Sequence, residues 1–268
     1  MLDKIDLTQS LTKDEYRRQR SILRNELLLL QRSCWQHKIP VIVVFEGWKG
    51  TGKAGIINSV TQPLEPRGFQ LHSMQAQRTF EMHMPWLWRF WQRIPNYGEI
   101  AIFDGSWYRR VLVERVEGNV DEKGWRQAYR DIDDFERVLA DDGYKICKFL
   151  LHTSKKEQKK RFRKLESDAL TAWHMHPEDW RQNERYEEYV EVIEEMLELT
   201  ESEWAPWTIV ECVDKRWARI KVLETMAGAL ADSITARGLP LPELGYEDEY
   251  LSMAEDVEEL GKPKEDDG

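Results

Sequence analysis

Val-Ile-Val-Val-Phe-Glu-Gly-Trp-Lys-Gly-Thr-Gly-Lys-Ala-Gly, residues 41–55, is an apolar run that enters a glycine-rich turn and ends in Gly-Lys. Gly47, Gly50 and Gly52 let the backbone take positive φ and come close to an anion, so successive N–H groups, with Lys49 and Thr51 between them, can converge on phosphate oxygens. Lys53 adds a cation at the start of the next helix, whose own N-terminal amides favour anions. The spacing from Gly47 to Lys53 fits G-x-x-x-x-G-K, with Ala54 where a Ser or Thr commonly stands to hold magnesium. A mere turn after a core strand would share the glycines, but not a Gly-Lys ending placed between strand and helix.

Working outward, the β-branched run Val41–Phe45 does not alternate, which predicts a strand buried on both faces, as in a parallel sheet. Upstream, Thr12 and Glu15 form a capping-box pattern before a long amphipathic helix reaching about His37. Downstream, the pattern predicts a helix over 53–61, a strand over 69–74, a helix around 81–93 and a strand over 100–103 ending on Asp104. A helix over 125–140, a strand over 144–151, a strand over 207–210 and a closing helix over 215–236 follow. Strands alternating with helices imply right-handed crossovers and a three-layer α/β/α fold of the P-loop kinase type, with a parallel five-stranded sheet and a helical lid. The expected division is an N-terminal helix (1–38), a phosphate-loop domain (39–237) with its lid at about 152–190, and an acidic tail (238–268), loosely packed or disordered.

The chain of 268 residues carries a formal charge of −10, but residues 242–268 hold eleven acidic residues against Lys262 and Lys264, leaving the body nearly neutral. Such a body argues against a nucleic-acid partner while permitting a focused anion site. No apolar run approaches a membrane span and no signal segment is apparent, so no membrane association and a cytoplasmic location are expected. Cys34, Cys147 and Cys212 are widely spaced and read as core residues. Most of the twelve tryptophans, including Trp86, Trp88, Trp91, Trp107, Trp204 and Trp207, read as core too.

Phosphoryl transfer needs cations and positioning more than a protein nucleophile. Asp104 ends an apolar strand, where a carboxylate can hold magnesium. Arg109 and Arg110 follow it on an expected helix, and paired arginines can clamp phosphate oxygens bidentately. Arg67, after the helix that follows the loop, is placed at the same ligand edge. Lys160, Arg161, Arg163 and Lys164, with Lys155, Lys156 and Lys159, form a basic helical stretch before a second helix beginning near Pro177, a hairpin able to close over phosphates. His174 and His176, at i and i+2, do not face the same way on a helix, so no metal site is read there.

The loop at 45–55, Glu-Pro-Arg-Gly (65–68), Trp-Arg-Phe-Trp (88–91), Gly-Glu-Ile-Ala-Ile-Phe-Asp-Gly-Ser-Trp-Tyr-Arg-Arg (98–110), Asp-Phe-Glu (134–136), the stretch 148–158, Ala-Pro-Trp-Thr (205–208) and Asp-Lys-Arg (214–216) together resemble the polyphosphate kinase 2 family. The resemblance spans about Leu11 to Ala236. It implies transfer of a phosphoryl group between inorganic polyphosphate and an adenine nucleotide with Mg2+, and segment 110–118 looks most like the subgroup that converts AMP to ADP. By the same resemblance Lys53 is the phosphate-loop lysine, Asp104 the magnesium-holding aspartate and Arg110 a polyphosphate contact, in a homo-oligomer. The chain departs from the family's usual pattern at Lys49, where Asp is common, at Gly105, where Arg is common, and over 169–174, where a basic lid motif is common. Those exchanges leave two alternatives open: a catalytically weak homologue serving as a nucleotide- or polyphosphate-binding structural or regulatory subunit, and an ATP-dependent kinase of a small metabolite.

Overall fold

Alternate side chains of the first strand feed two different cores. Ile42 and Val44 point into one, with Phe103, Trp107, Ile132, Phe135, Ile193 and Met196. Val41, Val43 and Phe45 point into the other, with Leu27, Leu30, Ile56, Val60, Leu223 and Leu230. A strand buried on both faces needs helices on both faces, and the computed structural model, which describes residues 1–243, has them. The acidic segment 244–268, most of the expected tail, lies outside the described residues.

The elements run α1 (Lys13–Gln36), β1 (Val41–Gly47), α2 (Lys53–Thr61), β2 (Phe69–Ser73), α3 (Trp88–Trp91), β3 (Ile100–Asp104), α4 (Val113–Val116), α5 (Glu122–Asp141), β4 (Lys145–His152), α6 (Lys155–Ser167), α7 (Pro177–Glu184), α8 (Tyr186–Thr200), β5 (Trp207–Glu211) and α9 (Lys215–Thr235). The sheet has five strands in the order β2-β3-β1-β4-β5, and every pairing is parallel. Helices α1, α2 and α9 cover one face, while α5 and α8 cover the other. The expected three-layer α/β/α fold is therefore present.

The predicted capping box holds: Thr12 accepts from the Glu15 N–H, and Glu15 accepts from the Thr12 N–H. Helix α1 spends its apolar stripe, Leu23, Leu27, Leu30 and Cys34, against α9 in the same chain. All three cysteines are buried, and burial pushes the thiols of Cys34, Cys147 and Cys212 up to about 12, 11 and 12, so they behave as apolar filler.

Two local expectations fail. The helix expected over 81–93 is a single 3-10 turn (Glu81–His83) and the one-turn α3, because Pro85 leaves Met84 extended between them. Arg109 and Arg110 lie on a 3-10 turn, Trp107–Arg110, capped by the Ser106 side chain, which accepts from the Tyr108 N–H. Among the tryptophans, Trp107 is buried, edge-on to Phe90, Phe103 and Phe135, whereas Trp91 is 44% exposed. No helix among the described residues is long and apolar enough to cross a membrane.

Candidate phosphate-transfer site

Register brings the loop and Asp104 together. Strand β1 lies between β3 and β4, with Phe45 opposite both Asp104 and Phe149, so the loop leaves the sheet at its carboxyl edge beside Asp104. Parallel α/β sheets bind ligands there, where neighbouring crossovers diverge. Lys53 Nζ lies 2.7 Å from Asp104 Oδ1, each side chain about 30% exposed. The turn after Asp104 is pinned to β1 twice. The Gly105 N–H donates to Phe45 O at 3.1 Å, and the buried Glu46 carboxylate accepts from Ser106 N (2.6 Å) and Ser106 Oγ (2.7 Å).

The loop glycines have the backbone their chemistry suggested: φ is 132° at Gly47, 76° at Gly50 and 85° at Gly52. They serve different ends. A Cβ at Gly47 would sit 2.2 Å from Leu151 O, so this position is fixed by the close pass against β4. A Cβ at Gly50 would meet the Phe162 ring of α6 at 2.9 Å, while nothing lies within 4 Å of one at Gly52, the open side of the cradle. Thr51 is buried, its hydroxyl donating to Trp48 O at 2.8 Å, and Ala54 is exposed at the start of α2.

The helical hairpin α6–α7 is fastened to this loop at its base. Gln182 accepts from the Lys49 N–H at 2.9 Å, Gln158 Nε2 donates to Lys49 O and to Gln182, and Asn183 donates to Gln158. Lys49 Nζ pairs with Asp179 at 3.4 Å. Arg161 donates to Gly50 O at 3.0 Å and to Cys212 O and Val213 O. Trp48 stacks on Tyr186 at 4.1 Å and donates to His152 Nδ1 at 2.9 Å. One expected phosphate ligand and one expected lid cation are thus occupied elsewhere: the Lys49 amide and ammonium face α7, and Arg161 is a strut carrying loop carbonyls.

On the β3 side, Arg109 and Arg110 are brought to the carboxyl edge. Arg110 pairs with Glu114 at 3.5 Å and lies 5.8 Å from the Trp86 ring, and Arg109 has no ion pair among the described residues. The Nε atoms of both are buried with no hydrogen-bond partner, a costly state that an incoming anion relieves. Behind them a buried cluster fixes the turn. Glu136 accepts from Trp107 Nε1, Tyr108 OH and Lys148 Nζ, and Lys148 also donates to Tyr108 OH and Thr200 O. Burial raises the Glu136 carboxyl and the Tyr108 phenol and lowers the Lys148 ammonium.

Arg67 is not brought to the site. It precedes β2, whose first residue pairs with Ile100 at the amino edge, and its guanidinium sits on Glu65, 82% exposed. Lys160 is exposed beside Glu157, and Arg163 and Lys164 are exposed on α6.

A divalent cation would find few protein ligands at this edge. No cluster of three or more His, Cys, Asp or Glu converges among the described residues, and Glu46 is engaged by Ser106. Asp104, partly exposed, is the single carboxylate that suits an ion drawing its other ligands from phosphates and water.

Sequence reading missed Glu46, Gln158, Asp179 and Gln182. Glu46 carried one signal, a carboxylate inside an otherwise apolar buried strand. The other three sit in polar helices, where nothing in their spacing marks them as loop contacts.

The description "Polyphosphate kinase 2 (PPK2)" fits residues 10–237. The chain is 40% identical over 230 residues to the polyphosphate:AMP phosphotransferase of Pseudomonas aeruginosa, covering 86% of this chain and 46% of that protein. It thus spans about half the length of that relative. It is 33% identical over 220 residues to NDP-polyphosphate phosphotransferase 3 of Ruegeria pomeroyi, covering 82% of this chain and 73% of the relative. The crystal structure of polyphosphate kinase 2 from Arthrobacter aurescens superposes with a TM-score of 0.84 at 27% identity, over 96% of this chain and 93% of that one. With the family's description fitting residues 10–237 and a relative matched over most of both chains, the chain belongs to the polyphosphate kinase 2 family.

Proposed function

We propose that this protein transfers a phosphoryl group between inorganic polyphosphate and an adenine nucleotide, with AMP as acceptor and ADP as product. The observation that carries the reading is Lys53 against Asp104 at the mouth of a glycine loop, a cation and a carboxylate 2.7 Å apart at the carboxyl edge of the sheet. The relative named for AMP supports the choice of acceptor.

In this reading the loop amides around Gly50–Lys53 and the Lys53 ammonium hold the donor phosphates. Asp104 would hold Mg2+, which supplies neutralisation of charge on the transferring group. Arg109 and Arg110 orient the acceptor phosphate in line. The hairpin α6–α7, within about 152–190, closes over the site as a lid, with Lys160, Arg163 and Lys164 facing the polyanion, and excludes water that would otherwise accept the phosphoryl group.

The test incubates the purified chain with Mg2+, AMP or ADP, and either polyphosphate or ATP with small-metabolite acceptors, then resolves the nucleotides. Formation of ADP that requires polyphosphate and is lost in Lys53→Ala is expected. Nucleotide binding without turnover supports a structural or regulatory subunit, and transfer from ATP alone supports a metabolite kinase.

A further inference from the structure

Helix α1 has two faces, and only one of them is spent. Leu23, Leu27, Leu30 and Cys34 are buried against the sheet and α9. The opposite stripe, Arg18, Ile22, Asn25, Leu29, Arg32 and Gln36, recurs at intervals of four and three residues and faces outward. Ile22 is 43% exposed, Leu29 is half-buried and the other four are exposed. Arg18 and Arg32 form no ion pair among the described residues. The stripe is thus a short aliphatic strip with a cation on either side.

The complementary pattern lies at the other end of the sequence. Over 244–268, outside the described residues, ten acidic residues stand against Lys262 and Lys264, a balance of −8, and seven of the ten fall between 247 and 259. Among them Tyr246, Tyr250, Met253, Val257 and Leu260 recur at the same intervals of four and three, the spacing that sets apolar residues on one side of a helix.

Place and length fit as well. Helix α9 ends at the amino edge of the sheet, where Arg237 donates to the Gly143 carbonyl just ahead of β4. Leu239 packs into the core it shares with Leu30 and Cys34 of α1, and burial raises the Cys34 thiol while the Arg237 charge opposes the rise. The chain therefore leaves beside the last turn of α1, which lies at the same edge, ahead of β1. Twenty-five residues at helical rise cover about 37 Å, and the 24 residues of α1 cover about 36 Å. The other basic helix, α6, starts across the sheet at the carboxyl edge, after β4.

We propose that the acidic segment 246–260 lies along the outer stripe of α1 in the same chain, its apolar residues over Ile22 and Leu29 and its carboxylates on Arg18 and Arg32. The segment is then a built-in polyanion. With α1 covered, an anion from solution meets the cations of the phosphate loop and not those of α1. The contact stands apart from the reacting centre and does not rest on the proposed reaction.

Hydrogen exchange of the full chain, read by mass spectrometry, tests the contact, with a synthetic 244–268 peptide as the unprotected reference. Amides over 246–260 are expected to exchange about tenfold more slowly than in the peptide, with protection lost in Arg18→Glu plus Arg32→Glu and reduced in about 0.5 M salt. Circular dichroism checks that this variant, altered only at two exposed positions, is folded. Adding Glu255→Arg and Glu259→Arg to it is expected to restore protection, because the charges are again opposite. Exchange at the peptide rate in the unaltered chain, or protection that Arg18→Glu plus Arg32→Glu leaves intact, overturns the contact. Protection that fades on dilution places the segment on α1 of a neighbouring copy and overturns it too.

Discussion

Lys49 and Asp179 face each other across the seam between phosphate loop and hairpin, with Nζ 3.4 Å from Oδ1, the lysine 62% exposed and the aspartate nearly buried. Asp179 also anchors α7, its other oxygen accepting from the His176 N–H. Installing the family's common residue by Lys49→Asp therefore sets two carboxylates against each other. The variant is expected to lose about 1–2 kcal/mol of stability, chiefly from leaving Asp179 unpaired. Thermal denaturation checks this: a fall of several degrees in Tm for Lys49→Asp, largely recovered in Lys49→Asp with Asp179→Asn, is expected. An unchanged Tm in the single variant would show that the pair holds nothing in place.

Asp104→Asn separates chemistry from folding. The Lys53–Asp104 pair is about 30% exposed on both sides, so its loss costs under about 1 kcal/mol of stability. The amide cannot hold magnesium as a carboxylate does, and turnover is expected to fall about 10²–10³-fold, the range seen when one charge-stabilising group is removed. Circular dichroism with the nucleotide assay distinguishes the two effects. A variant as active as the parent at every magnesium concentration would remove Asp104 from the metal site.

How much of this was legible beforehand follows from range. The loop, Asp104 and every strand could be read because each depends on residues within a few positions: glycines at fixed spacing, β-branched runs, a carboxylate at a strand end. Arg67 was misplaced because the sequence shows only that it follows a helix, and which sheet edge it occupies depends on the register of β2 on β3. Lys49 was read as a phosphate ligand and Arg161 as a lid cation because charge is visible locally, while their partners lie far along the chain, Asp179 for Lys49 and Cys212 and Val213 for Arg161. The helix expected over 81–93 failed on Pro85, a breaker the apolar pattern outweighed.

His152 predicts an acid-sensitive loop. Burial pushes its imidazole down to about 4, and its Nδ1 must be unprotonated to accept from Trp48 in the loop. The unfolded chain, with an ordinary value near 6.5, takes up a proton that the folded chain refuses, so stability falls as pH drops from about 6.5 to 4. The loss amounts to roughly 3 kcal/mol across that window. His152→Gln keeps an acceptor for Trp48 and removes the titration. Denaturant unfolding from pH 7 to 4 is expected to show a shallower pH dependence in the variant, and parallel curves would contradict the assignment.

The Lys148–Glu136 pair, both side chains essentially inaccessible, predicts an asymmetry between single and double variants. Lys148→Met alone leaves Glu136 buried with its charge uncompensated, although Trp107 and Tyr108 still donate to it, and the expected cost is about 3–5 kcal/mol. Removing both charges with Lys148→Met and Glu136→Gln leaves neutral groups that Trp107 and Tyr108 still satisfy, so most of that cost is expected to return. Function should not recover in step with stability. Tyr108 precedes Arg109 and Arg110, and its hydroxyl takes its bonds from this cluster, so relaxing the cluster loosens the turn that aims both guanidinium groups. The double variant is therefore expected to regain its Tm while keeping a KM for AMP raised severalfold at nearly parental kcat. Recovery of KM together with Tm would mean that the pair supports the fold without positioning the arginines.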